Sequence, residues 1–200
     1  MDIEGFLSSL NLFDIAAFLF LFGMFVLGFA QGSIRRLLGL AAILFSFFLA
    51  GQLRDPLGNF LAQGWTQFPQ QYSLMLAYFF VFAFSAILFS IIIQSFYKHQ
   101  PLFENATAVD EVIGGLIGVL QGLVLIGSMI VILDSYFLLP VGAVEGPNEL
   151  PFLRPIFDLY TDSWTAGFFR DVLLPAFFAL VGALVPEEVR ALYETTAPTT

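Results

Sequence analysis

Cysteine is absent from this chain of 200 residues, which removes disulfides, thiolate metal sites and a cysteine nucleophile from consideration. Histidine occurs once, as His99 beside Lys98 in a polar stretch. A lone loop histidine with no second ligand at metal spacing points to no metal and no cofactor. Charge is scarce as well, at 12% of residues against roughly a quarter in a soluble domain. Seven Lys and Arg stand against sixteen Asp and Glu, leaving a net charge of −9. That balance argues against nucleic acid, which needs basic patches to neutralise phosphate, and against attraction to an anionic leaflet. Also missing are a GxSxG elbow, an HExxH pair, a P-loop and paired intramembrane aspartates. The expectation is that the chain is not an enzyme.

What is present is apolar. Hydrophobic residues make up 58% of the chain and are gathered into blocks separated by polar joints, as membrane spans and loops are. The fold class expected is an all-α polytopic membrane protein with four transmembrane helices in two hairpins, followed by C-terminal interfacial or amphipathic helices. The N-terminus, "MDIEGFLSSLNLFD", carries acids where a cleaved signal peptide would carry bases, so the first block is expected to stay.

The four spans fall at about 13–30, 37–53, 72–96 and 112–133, within a membrane domain of 1–139. Asp14 opens the first, where a carboxylate can meet the free amides of a first turn. "QGSIRR" leaves room only for a tight connection, so spans one and two form an antiparallel hairpin. Asp55-Pro56 should break the second helix and begin a loop, with Trp65 at the interface. Tyr72, Tyr78 and Tyr97 flank the phenylalanine-rich third block as interfacial aromatics would. From 140 to 200 the chain mixes acids, arginines and shorter apolar runs before a disordered tail, "TTAPTT". Within it, Val172 to Val185 spans about fourteen residues and contains Pro175, short for a membrane crossing. It reads as interfacial or re-entrant, with a fifth span as the alternative. With Arg35, Arg36 and Lys98 facing the cytoplasm, both termini and the acidic C-terminal segment face outward.

The fourth block carries the strongest pattern, "VDEVIGGLIGVLQGLVLIG". At about 100° per residue, Gly114, Gly115, Gly118 and Gly122 share a sector roughly 100° wide, with Gln121 at its edge. Such a face permits close helix packing, and the alternative is a groove lined by glycine backbone. Asp110 and Glu111, in the first turn, suit the helix dipole; the sharper reading is a cation or proton site. Asp134 ends the block where the dipole disfavours an acid, and of Arg35, Arg36 and Arg54 only Arg54 lies on its side. Gln121 and Asp134 together are a candidate polar path. Ser85, Ser90, Gln94 and Ser95 on the third span are expected to bond neighbouring helices.

Asp14, the turn Gln31, Gly32 and Arg35, and then Asp110, Gly114, Gly118 and Gly122 in Asp-x-x-x-Gly-x-x-x-Gly-x-x-x-Gly order resemble the colicin V production protein family of bacterial inner-membrane proteins. The resemblance runs from roughly Leu12 to Phe157. It implies a multi-pass plasma-membrane protein needed for production or export of a peptide toxin in some hosts, with a wider role in envelope upkeep. Two departures stand out: Gln31 and Gln121 occupy positions where the family pattern often has arginine, and a glutamine keeps a hydrogen bond but not a charge pair. Two functions follow, an accessory protein that binds lipid and other membrane proteins or itself, or a small oligomeric channel lined by the glycine face.

Overall fold

Four long helices follow the apolar blocks in the computed structural model, which describes residues 11–66, 68–96, 107–138, 153–181 and 184–194. They are α1 (Leu12–Gln31), α2 (Ser33–Gly64), α3 (Gln70–Phe96) and α4 (Thr107–Phe137). Short helices complete the described chain: α5 (Leu153–Thr161), α6 (Trp164–Val181) and α7 (Glu187–Glu194). No strand occurs among the described residues. Tyr97, Lys98, His99 and the tail lie outside them.

Only Gly32 separates α1 from α2, at φ 75°, a left-handed backbone that glycine adopts without a Cβ penalty. The chain direction reverses there, yet α1 makes little contact with α2. Its main partner is α4, and the main partner of α2 is α3. Contacts give the directions. Gly114, Gly118 and Gly122 of α4 meet Gly28, Met24 and Leu21 of α1 in descending order, so these two run antiparallel. Ser33 and Gly39 of α2 meet Asp110 and Gln121 in ascending order, so α2 runs parallel to α4. Gly58 lies on Leu74 and Phe47 on Tyr78 and Phe82, so α2 and α3 are antiparallel. The spatial order is therefore α1, α4, α2, α3. The expected first hairpin reverses direction as such a hairpin must, but α4 has been inserted between its arms.

Several expected boundaries are corrected. Asp55-Pro56 does not break the second helix, which continues to Gly64 with Pro56 exposed on its outer side. Arg54 and Gly58 on the opposite side are buried, and a methyl on Gly58 would meet Leu74 at 2.6 Å. Packing of this close hairpin outweighs the roughly 3 kcal/mol a proline costs inside a helix. Arg35 and Arg36 lie in the first turn of α2, not in a loop, and Arg36 is buried. Tyr72 and Tyr78 are 1% and 0% exposed and face the bundle instead of the headgroups. Ser85 and Ser95 bond carbonyls of their own helix, at Val81 and Ile91, not neighbouring helices.

The largest revision concerns the C-terminal segment. Residues Trp164–Val181 form 18 helical residues, making α6 a fifth helix long and apolar enough to cross a membrane. Pro175 sits inside it. Directly before it, at Phe169–Leu173, the helix widens by one residue per turn, and the Leu174 amide bonds back to the Phe169 carbonyl. Such π-type widening relieves crowding by inserting an extra residue in the turn. Both approaches to α6 are tied to one end of the bundle, where α4 finishes. Thr165 N donates to Asp14 at 2.8 Å, and beyond its other end Gln52 donates to the Leu184 carbonyl at 3.1 Å.

Candidate functional site

The glycine face of α4 is covered by α1. A methyl on Gly118 would run into the Met24 carbonyl oxygen, and one on Gly114 would lie 2.6 Å from the Gly28 oxygen and 2.8 Å from the Gly32 carbonyl carbon. Gly122 is met by Leu21 at 2.8 Å and Gly115 by the Phe25 ring at 2.7 Å. Gly28 completes the seam from the α1 side, since its own methyl would strike Gly114 O. Backbone lies on backbone here, the contact that small residues four apart permit in lipid.

At the elbow end, the Ser33 hydroxyl donates to the Asp110 carboxylate, joining the first turns of α2 and α4. Arg36 reaches inward, and its Nη1 donates to Gln121 Oε1 at 2.9 Å. Buried Arg36 Nε has no partner, and no carboxylate lies within ion-pair distance of this guanidinium among the described residues. Arg35 is half-buried beside it, as is Glu111 beside Asp110.

Asp14 serves two helices. It closes a capping box with Asn11 at the start of α1, and its two oxygens accept from Trp164 N at 3.4 Å and Thr165 N at 2.8 Å at the start of α6. Free amides and the positive end of the dipole at both N-termini favour a carboxylate there.

Asp134 does not end α4, which continues to Phe137, and its partner is not Arg54. It is 0% exposed and accepts four hydrogen bonds. Arg170 holds it bidentately, Nε to Oδ2 at 2.9 Å and Nη2 to Oδ1 at 2.6 Å. The Tyr160 hydroxyl donates to Oδ1 at 2.6 Å and the Tyr193 hydroxyl to Oδ2 at 2.8 Å. One carboxylate thus fastens α5, α6 and α7 to α4. A planar fork on a carboxylate, with its remaining lone pairs filled, is the arrangement that makes a buried ion pair tolerable. Burial first, then the neighbouring Asp134 charge, pushes both tyrosine hydroxyls far above their ordinary range. They remain donors. Arg54 instead meets Asp55 at 3.5 Å and Glu188 of α7 at 3.3 Å.

Gln121 and Asp134, paired above as a polar path, are not brought together. Thirteen residues of α4 put them about 20 Å apart along the helix, and Leu123, Val124, Gly127 and Val131 between them line an apolar cavity beneath α6. Sequence reasoning missed Arg170, Tyr160 and Tyr193. The usable signal was that Asp134 is a solitary charge within an apolar run, a situation that favours pairing in a membrane.

Residues 13–173 match the Colicin V production protein family. The chain belongs to that family. The match covers most of the sequence, and it continues past Phe157 through α5 and into the widened turn of α6, so Arg170 is inside it and Tyr193 is not. No curated protein and no solved structure matches the chain. With its long apolar helices, this is a membrane protein of the colicin V production family.

Proposed function

We propose that the protein is a non-enzymatic accessory of the bacterial plasma membrane that supports toxin production and secretion, or envelope upkeep, by holding other membrane proteins or a second copy of itself. In this reading α1 to α4 cross the bilayer and α6 lies obliquely across α4, entering and leaving at the same side. The support for four crossings is that both flanks of α6 are tied to the end of the bundle where α4 finishes. The orientation we favour keeps Arg35 on the cytoplasmic side and the C-terminal helices on the outer side.

One observation carries the accessory reading over a channel lined by the glycine face: that face is filled by the backbone of α1. A path along Gly114, Gly118, Gln121 and Gly122 requires α1 to move away. The absent cysteines make the test direct. Single cysteines placed from Val112 to Leu133 are probed in intact membranes with a small water-soluble thiol reagent. The accessory reading expects an unreactive centre. A reactive stripe through the bilayer centre along the glycine face establishes a water-filled path and overturns it. Cysteines at Asp162 and Leu184, labelled by an impermeant reagent from the same side, support the oblique α6; labelling from opposite sides makes it a fifth span.

A further inference from the structure

Between α1, α4 and α6 lies an apolar groove of about 360 Å³. Leu21 of α1, Leu123 of α4 and Phe168 and Phe169 of α6 form its walls, and Asp14 and Trp164 stand at its mouth. The groove exists because α6 crosses the bundle at an angle. Phe169 wedges onto Gly127, whose methyl would sit 3.3 Å from the ring, and holds the helix away from α1 on one side. The lip is continuous with the lipid face of α1, where Ile15 and Phe18 are exposed. In the four-crossing placement proposed above, what lies outside it is hydrocarbon.

The mouth is polar and of one sign. Asp14 lines the groove from a buried position, its oxygens accepting from the Asn11, Trp164 and Thr165 amides, and no lysine or arginine comes within ion-pair distance to neutralise it among the described residues. Asp158 and Asp162 are exposed on the adjoining α5 and the turn before α6. The cations of this region are committed elsewhere, Arg170 to Asp134 and Arg154 over the Phe137 ring at 4.9 Å. An anionic headgroup meets like charge here, whereas a headgroup bearing N–H donors and a positive charge meets a carboxylate. The indole of Trp164, 55% exposed and stacked on Phe168, supplies the aromatic found at the headgroup level.

We infer that this groove is a lipid site: it takes one acyl chain of a phospholipid whose primary-amine headgroup is read by Asp14. The inference rests on the oblique α6 proposed above, and the labelling of Asp162 and Leu184 cysteines tests that placement by itself.

Trp164 and Trp65 are the chain's two tryptophans, so replacing Trp65→Phe leaves Trp164 as the sole reporter at the mouth. The full chain is reconstituted in vesicles of ethanolamine, choline or glycerol phospholipids with the same chains, each brominated in turn to quench indole fluorescence. A charge-assisted hydrogen bond corresponds to roughly a tenfold preference, so half-maximal quenching by the brominated ethanolamine lipid is expected at about one tenth of the mole fraction needed with the other two. Asp14→Asn, which keeps an acceptor for Thr165 and removes the charge, should bring the ethanolamine curve onto the choline curve. Leu123→Phe fills the groove, should remove the preference with Asp14 intact, and decides the matter if the Asp14 variant does not fold. Identical curves for the three headgroups, or a preference that survives Leu123→Phe, overturn the proposal and leave only general contact with surrounding lipid.

Discussion

Alanine at Gly118 is the sharpest probe of how this bundle is held together. Its methyl would collide with the Met24 carbonyl oxygen and lie 3.2 Å from the Gly28 Cα, both backbone atoms. No rotamer change relieves such a contact, so α1 and α4 must separate along the seam. Overpacking costs about 1–3 kcal/mol, and a backbone clash belongs in the upper half. Against this, alanine is favoured over glycine inside a helix by about 1 kcal/mol. The net loss for Gly118→Ala is then about 1–2 kcal/mol, with Gly28→Ala close to it, because that methyl would strike Gly114 O and sit 3.0 Å from Gly115 Cα. Gly23 is the internal control. It lies on the same helix as Gly28, and a methyl there meets nothing within 4 Å, so Gly23→Ala should gain up to about 1 kcal/mol from propensity alone. Thermal unfolding in detergent, followed by loss of the monodisperse peak on heating, should separate the two classes by roughly 2–3 kcal/mol, or roughly 4–12 °C for a chain of this size. If Gly118→Ala and Gly28→Ala melt with Gly23→Ala, the seam does not hold α1 to α4, and the argument against a path along it goes too.

Other consequences follow from the buried charges. Asp134→Ala leaves the partly buried Arg170 without this carboxylate and should cost up to about 3–5 kcal/mol; Asp134→Leu combined with Arg170→Met should cost clearly less than the single change, read by the same melts. Raised folded values for the Tyr160 and Tyr193 hydroxyls mean that their contribution is fully present below the ordinary tyrosine value of about 10 and is lost as pH climbs through the folded values. Stability should therefore decline above about pH 10, and Tyr160→Phe with Tyr193→Phe should flatten that limb. At the elbow, Gln121→Leu removes the one partner seen for the Arg36 guanidinium and should cost about 1–3 kcal/mol, while Gln121→Glu supplies a counter-charge and should be the better tolerated of the two in side-by-side melts.

Length and hydropathy decide most of what was legible beforehand. Blocks of about twenty apolar residues have few alternatives to a spanning helix, and α1 and α3 begin and end within two residues of their expected limits. The glycine pattern on α4 was equally plain, because spacing on one helix is local information. Its partner was not. The turn at Gly32 made α2 the natural neighbour of α1, yet Gly28 and Gly32 bring the backbone of α1 and its turn against Gly114 of α4. In lipid, where burial of apolar area does not discriminate between helices, close approach of backbones can outrank adjacency in sequence.

The same reasoning explains the misplacement of Asp134. A search confined to charges near it in topology finds Arg54, and Arg54 is taken by the acids Asp55 and Glu188. Arg170 is 36 residues away, just before the stretch Val172 to Val185, expected to be interfacial or re-entrant. What brings it into reach is the widened turn at Phe169–Leu173 just before Pro175, a shift in helix phase that hydrophobic periodicity does not register. The family match includes Arg170 and stops before Tyr193. The carboxylate and its guanidinium both lie within the matched residues, and Glu188 and Tyr193 of α7 lie beyond them. Removing α7 should then take the Tyr193 hydroxyl from Asp134 and Glu188 from Arg54 while leaving α6 docked through Arg170, a division that protease sensitivity around Trp164 can read directly.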